Sequence, residues 1–240
     1  MENKYPQKPG LDFILKQAFF YWNKTLVFQL MFSIMYFGIL MTVFFFCDAK
    51  YDILNGYMET AKYAKEGVQV YTEQLQKLLS TENFQSFSLW MVGTHIFLYP
   101  LNLGFFQIYR KMDLGEQASL GDLFVGYNGT NFFKYIGYYI FWYFIFAYSF
   151  QTIILGFVWV GITLFVAPMM FFMNKSIFES IALHFKAMKV FFIEILVCMV
   201  VAFIFKYVGF MAFFIGGLFT FPFWNAMIYS LYKVIFSEKN

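Results

Sequence analysis

Three carboxylates stand close together in "KMDLGEQASLGDLFVGYNGTNFFKY", Lys111 to Tyr135: Asp113, Glu116 and Asp122. Such a trio could bind a divalent cation or work as general acid and base. Neither chemistry is complete, because no histidine and no second carboxylate cluster joins it. Ser119 and Asp122 have instead the N-cap and third-position spacing of a short helix that can run to Gly126 or Gly129. "GYNG" reads as a turn and not as a phosphate cradle, since it has no G-x-x-x-x-G-K-S/T pattern and no preceding strand. The stretch reads as an elbow, with its acids solvating the loop and capping a helix.

His95 is the second candidate. It falls near the middle of an apolar run, where an ionisable side chain is costly and marks function by default. Thr94 precedes it, Asn102 lies on the same helical face, and Pro100 frees the carbonyl of Ile96 from its helical hydrogen bond. These groups could form a polar spot for a ligand or a proton, or His95 could bond as a neutral ring to a neighbouring helix. Glu194 and Lys206 lie close enough to the ends of their run to reach the interface. Gln151 and Asn225 read as interhelical hydrogen-bonding groups. Cys47 and Cys198 lack a C-x-x-C neighbour, and with only His95 and His184 they cannot build a zinc site. No catalytic residue, metal set or cofactor is expected.

The elements that must position these residues are set by composition. The chain is 61% hydrophobic and 13% charged with mean hydropathy +0.61, against about 45–50% and about 25% in soluble domains. The expected class is all-α, a polytopic helical membrane protein forming a single membrane domain over 1–240. Runs able to cross the bilayer fall at 25–47, 87–108, 135–154, 155–173, 190–210 and 211–235, about six helices, with reversals near Gly156 and between Lys206 and Gly209. The first run is as long as a full span and has no A-x-A site, so no cleaved signal peptide is expected. Twelve of the seventeen basic residues fall on one side of this topology, which places both termini on the cytoplasmic side. The net charge of +3 is dispersed as topology signals, so no nucleic-acid partner is expected.

Three segments have amphipathic-helix patterning. In "LDFILKQAFFYWNK" Leu11, Ile14, Leu15, Ala18 and Trp22 share a face; "SIFESIALHFKAMK" repeats the design behind a Ser176–Glu179 capping box; the 111–135 stretch is the third. Each precedes an out-and-back pair whose returning helix holds a proline, Pro100, Pro168 or Pro222, which suggests an internal repeat in parallel orientation. Residues 48–86 form an outer helical insertion. Tyr51, Leu54, Met58, Ala61, Ala64, Val68, Tyr71, Leu75 and Leu78 recur as one apolar face, which must rest on lipid headgroups, the bundle or a protein partner.

"LKQAFFYWNKTLVF", "YRKMDLGEQASLGDLFVGY", "APMMFFMNKSIFESIALHFKAMKV" and "GGLFTFPFWNAMIYSLY" resemble a large group of uncharacterised bacterial six-helix membrane proteins, similar to the membrane domain fused to some glycerophosphodiester phosphodiesterases. The likeness covers most of the chain outside 48–86 and brings no catalytic residues, because the phosphodiesterase chemistry of those fusions belongs to a separate soluble domain. Related sequences sometimes labelled carotenoid oxygenases imply four iron-holding histidines, and His95 and His184 are the only two here. Two functions are expected: a non-enzymatic inner-membrane protein supporting envelope or lipid homeostasis or the assembly of a partner, or a small transporter or conduit built around His95 and Asn102.

Overall fold

The computed structural model describes residues 10–212 and 214–236. Lys4, Lys8 and Lys239, which enter the charge count, lie outside them, as does one residue of the last returning run. Every regular element among the described residues is helical. Four helical stretches are long and apolar enough to cross a membrane: Leu26–Tyr51, Glu82–Asp113, Ile153–Phe172 and Ile177–Met211. These are the helices of an integral membrane protein.

The elements are α1 (Leu11–Lys24), α2 (Leu26–Tyr51), α3 (Ile53–Lys62), α4 (Val68–Leu79), α5 (Glu82–Leu98), α6 (Asn102–Asp113), α7 (Thr130–Ser149), α8 (Ile153–Thr163), α9 (Val166–Phe172), α10 (Ile177–Ala212), α11 (Phe214–Thr220) and α12 (Phe223–Phe236). Two expected spans do not stand among the four. α7 carries Lys134 and a series of tyrosines that lower its hydropathy, and the 211–235 run is divided into α11 and α12, the second holding Asn225, Ser230 and Lys233. All three returning runs are broken: α5 and α6 are separated by a 3-10 turn at Tyr99–Leu101, α8 and α9 by Leu164 and Phe165, and α11 and α12 by Phe221 and Pro222. Proline stands at or just after each break, where a missing N–H costs least.

The expected reversals are displaced. The chain turns at Phe150–Thr152, and Gly156 lies inside α8, where a Cβ would come within 2.9 Å of the Phe150 ring. α10 continues past Gly209 to Ala212, and a Cβ on Gly209 would meet the Gly216 carbonyl carbon at 2.7 Å. Gly209 serves close helix packing, as small residues do in membranes, whereas Gly156 makes room for the Phe150 ring of the turn just before it. α10 has its own irregularity at Phe191 (φ −121, ψ 27), between its amphipathic first part and its apolar remainder.

The chain divides into two compact units, one of Met35–Leu98 and the other of the described residues on either side of it. The first is wider than the expected 48–86 insertion, since it takes in most of α2 and all of α5. Within it α3 and α4 pack closely where Gly56 faces Leu78, and a Cβ there would lie 2.9 Å from Leu78 Cδ1. Ile53 and Thr60 are buried; of the expected apolar face, Tyr51, Tyr71, Leu75 and Leu78 are half-buried, and Leu54, Met58, Ala61, Ala64 and Val68 are exposed. Thr60 Oγ1 donates to Gly56 O at 2.8 Å, one turn back on its own helix.

In the other unit α6 is the central support. Leu103, Phe105, Phe106, Ile108 and Tyr109 are fully or almost fully buried on it. The elbow's 3-10 segment, Leu120–Tyr127, lies directly against its backbone: a Cβ on Gly104 would sit 2.3 Å from Leu123 Cα, and one on Gly126 would sit 2.4 Å from the Pro100 carbonyl oxygen. Ser119 and Asp122 form the expected capping box, and Ser176 and Glu179 form the other one. Asp122 also pairs with Lys111, Nζ to Oδ1 at 2.8 Å.

Burial opposes ionisation of Asp122, but the Lys111 ammonium and the Ser119 N–H and hydroxyl outweigh it and hold the carboxyl below its ordinary value. A carboxyl depressed in the folded state stabilises above its unfolded pKa, about 3.9, and that contribution is lost as pH falls through the lower folded value. Asp122→Asn should therefore lower the melting temperature at pH 7, by the equivalent of about 1 kcal/mol for a lost cap. The gap to the parent should close as pH is taken toward 3. A gap independent of pH would mean that the ionised carboxylate contributes nothing.

Candidate functional site

The polar side chains of the larger unit converge where α1, α6 and α12 meet. Each helix contributes a pair one turn apart: Gln17 and Tyr21, Tyr109 and Asp113, Tyr229 and Lys233. Spacing of four puts both members of a pair on one helical face. Ile14, Ala18 and Tyr21 form the buried stripe of α1, so packing of that stripe delivers the Tyr21 hydroxyl inward. On α12, nine of the ten residues from Phe223 to Tyr232 are buried, all but Trp224, and Tyr229 is carried inward with them.

Asp113 is the hub. Its Oδ1 accepts from the Tyr21 hydroxyl at 2.6 Å, and its Oδ2 accepts from the Tyr229 hydroxyl at 2.7 Å and from Lys233 Nζ at 2.8 Å. Lys233 Nζ also donates to the Tyr21 oxygen at 3.1 Å. The side chains of Asp113 and Lys233 are 25% and 35% exposed, so the pair sits at a partly wet end of the bundle. The Tyr21, Tyr109 and Tyr229 rings pack mutually, with centroids 5.2 to 5.4 Å apart. Deeper in, Gln29 Nε2 donates to Thr25 Oγ1 at 2.9 Å and to the Tyr109 hydroxyl at 3.1 Å. Burial first, and then the Asp113 carboxylate, push the Tyr21 phenol further above its ordinary range, which keeps it a neutral donor.

This arrangement can brace the bundle: the carboxylate ties three helices through three donors, and charge-assisted bonds of this kind fix orientation strongly. Among the described residues no group of three or more His, Cys, Asp or Glu could hold a metal ion.

The residues singled out from sequence are dispersed. His95 lies half-buried in the Met35–Leu98 unit; its Nδ1 bonds to the Met91 carbonyl at 2.8 Å, one turn back on its own helix, and its ring lies 6.3 Å from that of Tyr36. Asn102 and Asn225 are brought together in the other unit, Asn225 Nδ2 donating to Asn102 Oδ1 at 3.1 Å, while Asn102 Nδ2 donates to the Tyr99 carbonyl at 3.0 Å. The pair joins two helices at their breaks. Gln151 is exposed in the α7–α8 turn, because the chain reverses earlier than expected. Glu194 is half-exposed on α10. Glu116 is exposed, as an elbow residue should be, whereas Asp113 is drawn into the cluster.

Tyr21, Tyr109, Tyr229, Lys233 and Gln29 are not singled out by sequence reading. The signal that could have found them is the recurrence of polar pairs at spacing four near the ends of three helices. His184 is also fully buried, with neither ring nitrogen bonded to a protein partner and its ring 5.1 Å from that of Phe165.

Compared with known proteins, the chain matches no family model, no curated protein and no solved structure.

Proposed function

We propose that this chain is a non-enzymatic membrane protein that supports envelope or lipid homeostasis, or the assembly of a partner, through its 48–86 segment. In this reading it resides in a bacterial inner membrane, crosses it about six times with both termini cytoplasmic, and belongs with the six-helix proteins it resembles. One observation carries the reading. Met58 and Val68, in helices flanking the membrane-length stretches, are 65% and 83% exposed, whereas the polar side chains of the bundle bond to one another. Leu54, Tyr57 and Tyr63 on the same segment are exposed as well, and a run of apolar side chains in a polar setting suits an interaction surface. For such a protein the Asp113 cluster is a brace for its own bundle, and the 48–86 segment is the part offered to a partner.

Cysteine labelling tests the placement. Cys47 and Cys198 are fully buried and should stay silent. In intact cells Gln76→Cys should react with an impermeant maleimide and Glu116→Cys should not; the reverse pattern would overturn the orientation. Co-purification then tests the role, because Met58→Glu with Val68→Glu should strip a stoichiometric component from the purified protein while leaving its melting temperature unchanged. Unaltered composition would sink the proposal.

A further inference from the structure

The Met35–Leu98 unit contains a groove of about 500 Å³ between α2 and α5, lined by Ile39, Val43, Gly93 and Phe97 and, toward one end, by Tyr51 and Ser86. Its volume falls in the range of about 300–1,000 Å³ typical of small-molecule sites. Its shape is more telling. Between Ile39 and Tyr51 the rise of α2 alone makes the groove about 18 Å long, a trough that follows the helix. Both walls belong to stretches long and apolar enough to cross a membrane. Water does not fill an apolar groove, and a groove left empty would forfeit the dispersion contacts of its lining atoms.

We propose that this groove is a binding site for one acyl chain of a phospholipid, whose phosphate is held at Lys50. The inference rests on the membrane-embedded reading given above and adds a ligand to it. Three observations support it. Gly93 opens the trough, since a Cβ built there meets no atom within 4 Å. The end at Tyr51 is where α2 leaves its apolar run and where Lys50 stands, its Nζ 5.0 Å from the centroid of the Tyr51 ring. Tyrosine and lysine at a helix end are interfacial anchors at headgroup depth, and the ammonium supplies the charge complementary to a phosphate. Asp48 and Asp52, two residues to either side of Lys50, accept from the Leu54 N–H at 2.7 Å and from Asn55 Nδ2 at 2.6 Å, and among the described residues neither forms an ion pair with the Lys50 ammonium.

The test uses the full chain in phosphatidylcholine nanodiscs doped with phosphatidylglycerol that carries a photoactivatable group on one acyl chain. Cross-links should concentrate on the groove-lining peptides of α2 and α5. Gly93→Leu places a side chain in the trough without a steric clash, and it should cut the adduct by at least about tenfold, since displacing two or three buried methylenes already implies that much. Gly38→Leu is the matched control, because it too has open space around its Cβ but lies outside the groove; its labelling should equal that of the parent. Lys50→Gln should lower the adduct by about fivefold, as expected for one surface cation facing a phosphate. Equal labelling of the Gly93→Leu and Gly38→Leu proteins would overturn the proposal. So would a dimer that Gly93→Leu converts to monomer, because a second copy would then be the occupant. The labelling requires no partner protein, so the groove can fail while the co-purification result stands, and the reverse.

Discussion

Asp113→Leu should lower the stability of the folded bundle in detergent by about 2 kcal/mol. The substitution removes the acceptor of the Tyr21 and Tyr229 hydroxyls and takes the Asp113 carboxylate away from the Lys233 ammonium. Hydrogen bonds to a charged group are worth about 1.5–3 kcal/mol each, but both members of the ion pair are partly exposed, and solvent screening reduces what their attraction contributes. Lys233→Leu should cost less, about 1 kcal/mol, because Asp113 keeps its two tyrosine donors. The double variant should be more stable than the two losses added together, by about 1 kcal/mol, since residues in one network couple. Calorimetry on the four proteins measures this directly. The same cycle reads out local structure: with Asp113 gone, α1 loses the hydrogen bond that ties Tyr21 to α6, and protease cleavage within Leu11–Lys24 should accelerate. Additive losses, or cleavage at the parental rate, would show that Asp113 merely solvates the helix end.

Most of the fold is legible in the sequence because the bilayer imposes it. A run such as Leu26–Tyr51 has few alternatives to a helix when no water is present to satisfy its backbone. The capping boxes at Ser119 and Ser176 are legible for a similar reason, since each is a local bond between residues three apart. What the sequence hides is whatever depends on a partner far along the chain. Asp113 looks like a loop acid until Tyr229, 116 residues away, and Lys233 are brought to it. Asn225 is recognisable as a hydrogen-bonding residue, but not that Asn102 would be its partner. Glycine is ambiguous in the same way: Gly209 looks like a reversal, and the structure uses it where α10 meets α11. Gln151 shows how one misplaced turn moves a residue from a presumed helix contact into an exposed loop.

Gly104→Ala should be among the most damaging single-methyl changes in the larger unit. In an isolated helix the substitution would stabilise by about 1 kcal/mol, because alanine is the better helix former. Here the added methyl would stand 2.3 Å from Leu123 Cα and 2.7 Å from the Leu123 carbonyl oxygen. Those are backbone atoms with no rotamer to change, so the whole Leu120–Tyr127 segment must move off α6. Overpacking of this kind costs about 1–3 kcal/mol, and a clash with backbone belongs at the upper end, so the loss should exceed the propensity gain by about 2 kcal/mol. Gly121→Ala, in the same elbow, meets only Ser119 Oγ at 3.6 Å and should be neutral. Displacing the segment also separates Asp122 from Lys111, which gives a second readout: Asp122→Asn, destabilising in the parent at pH 7, should have little further effect in the Gly104→Ala background. A Gly104→Ala protein that melts with the parent and still responds to Asp122→Asn would mean that the elbow does not rest on α6, and the 111–135 stretch would have to be read again as a free loop.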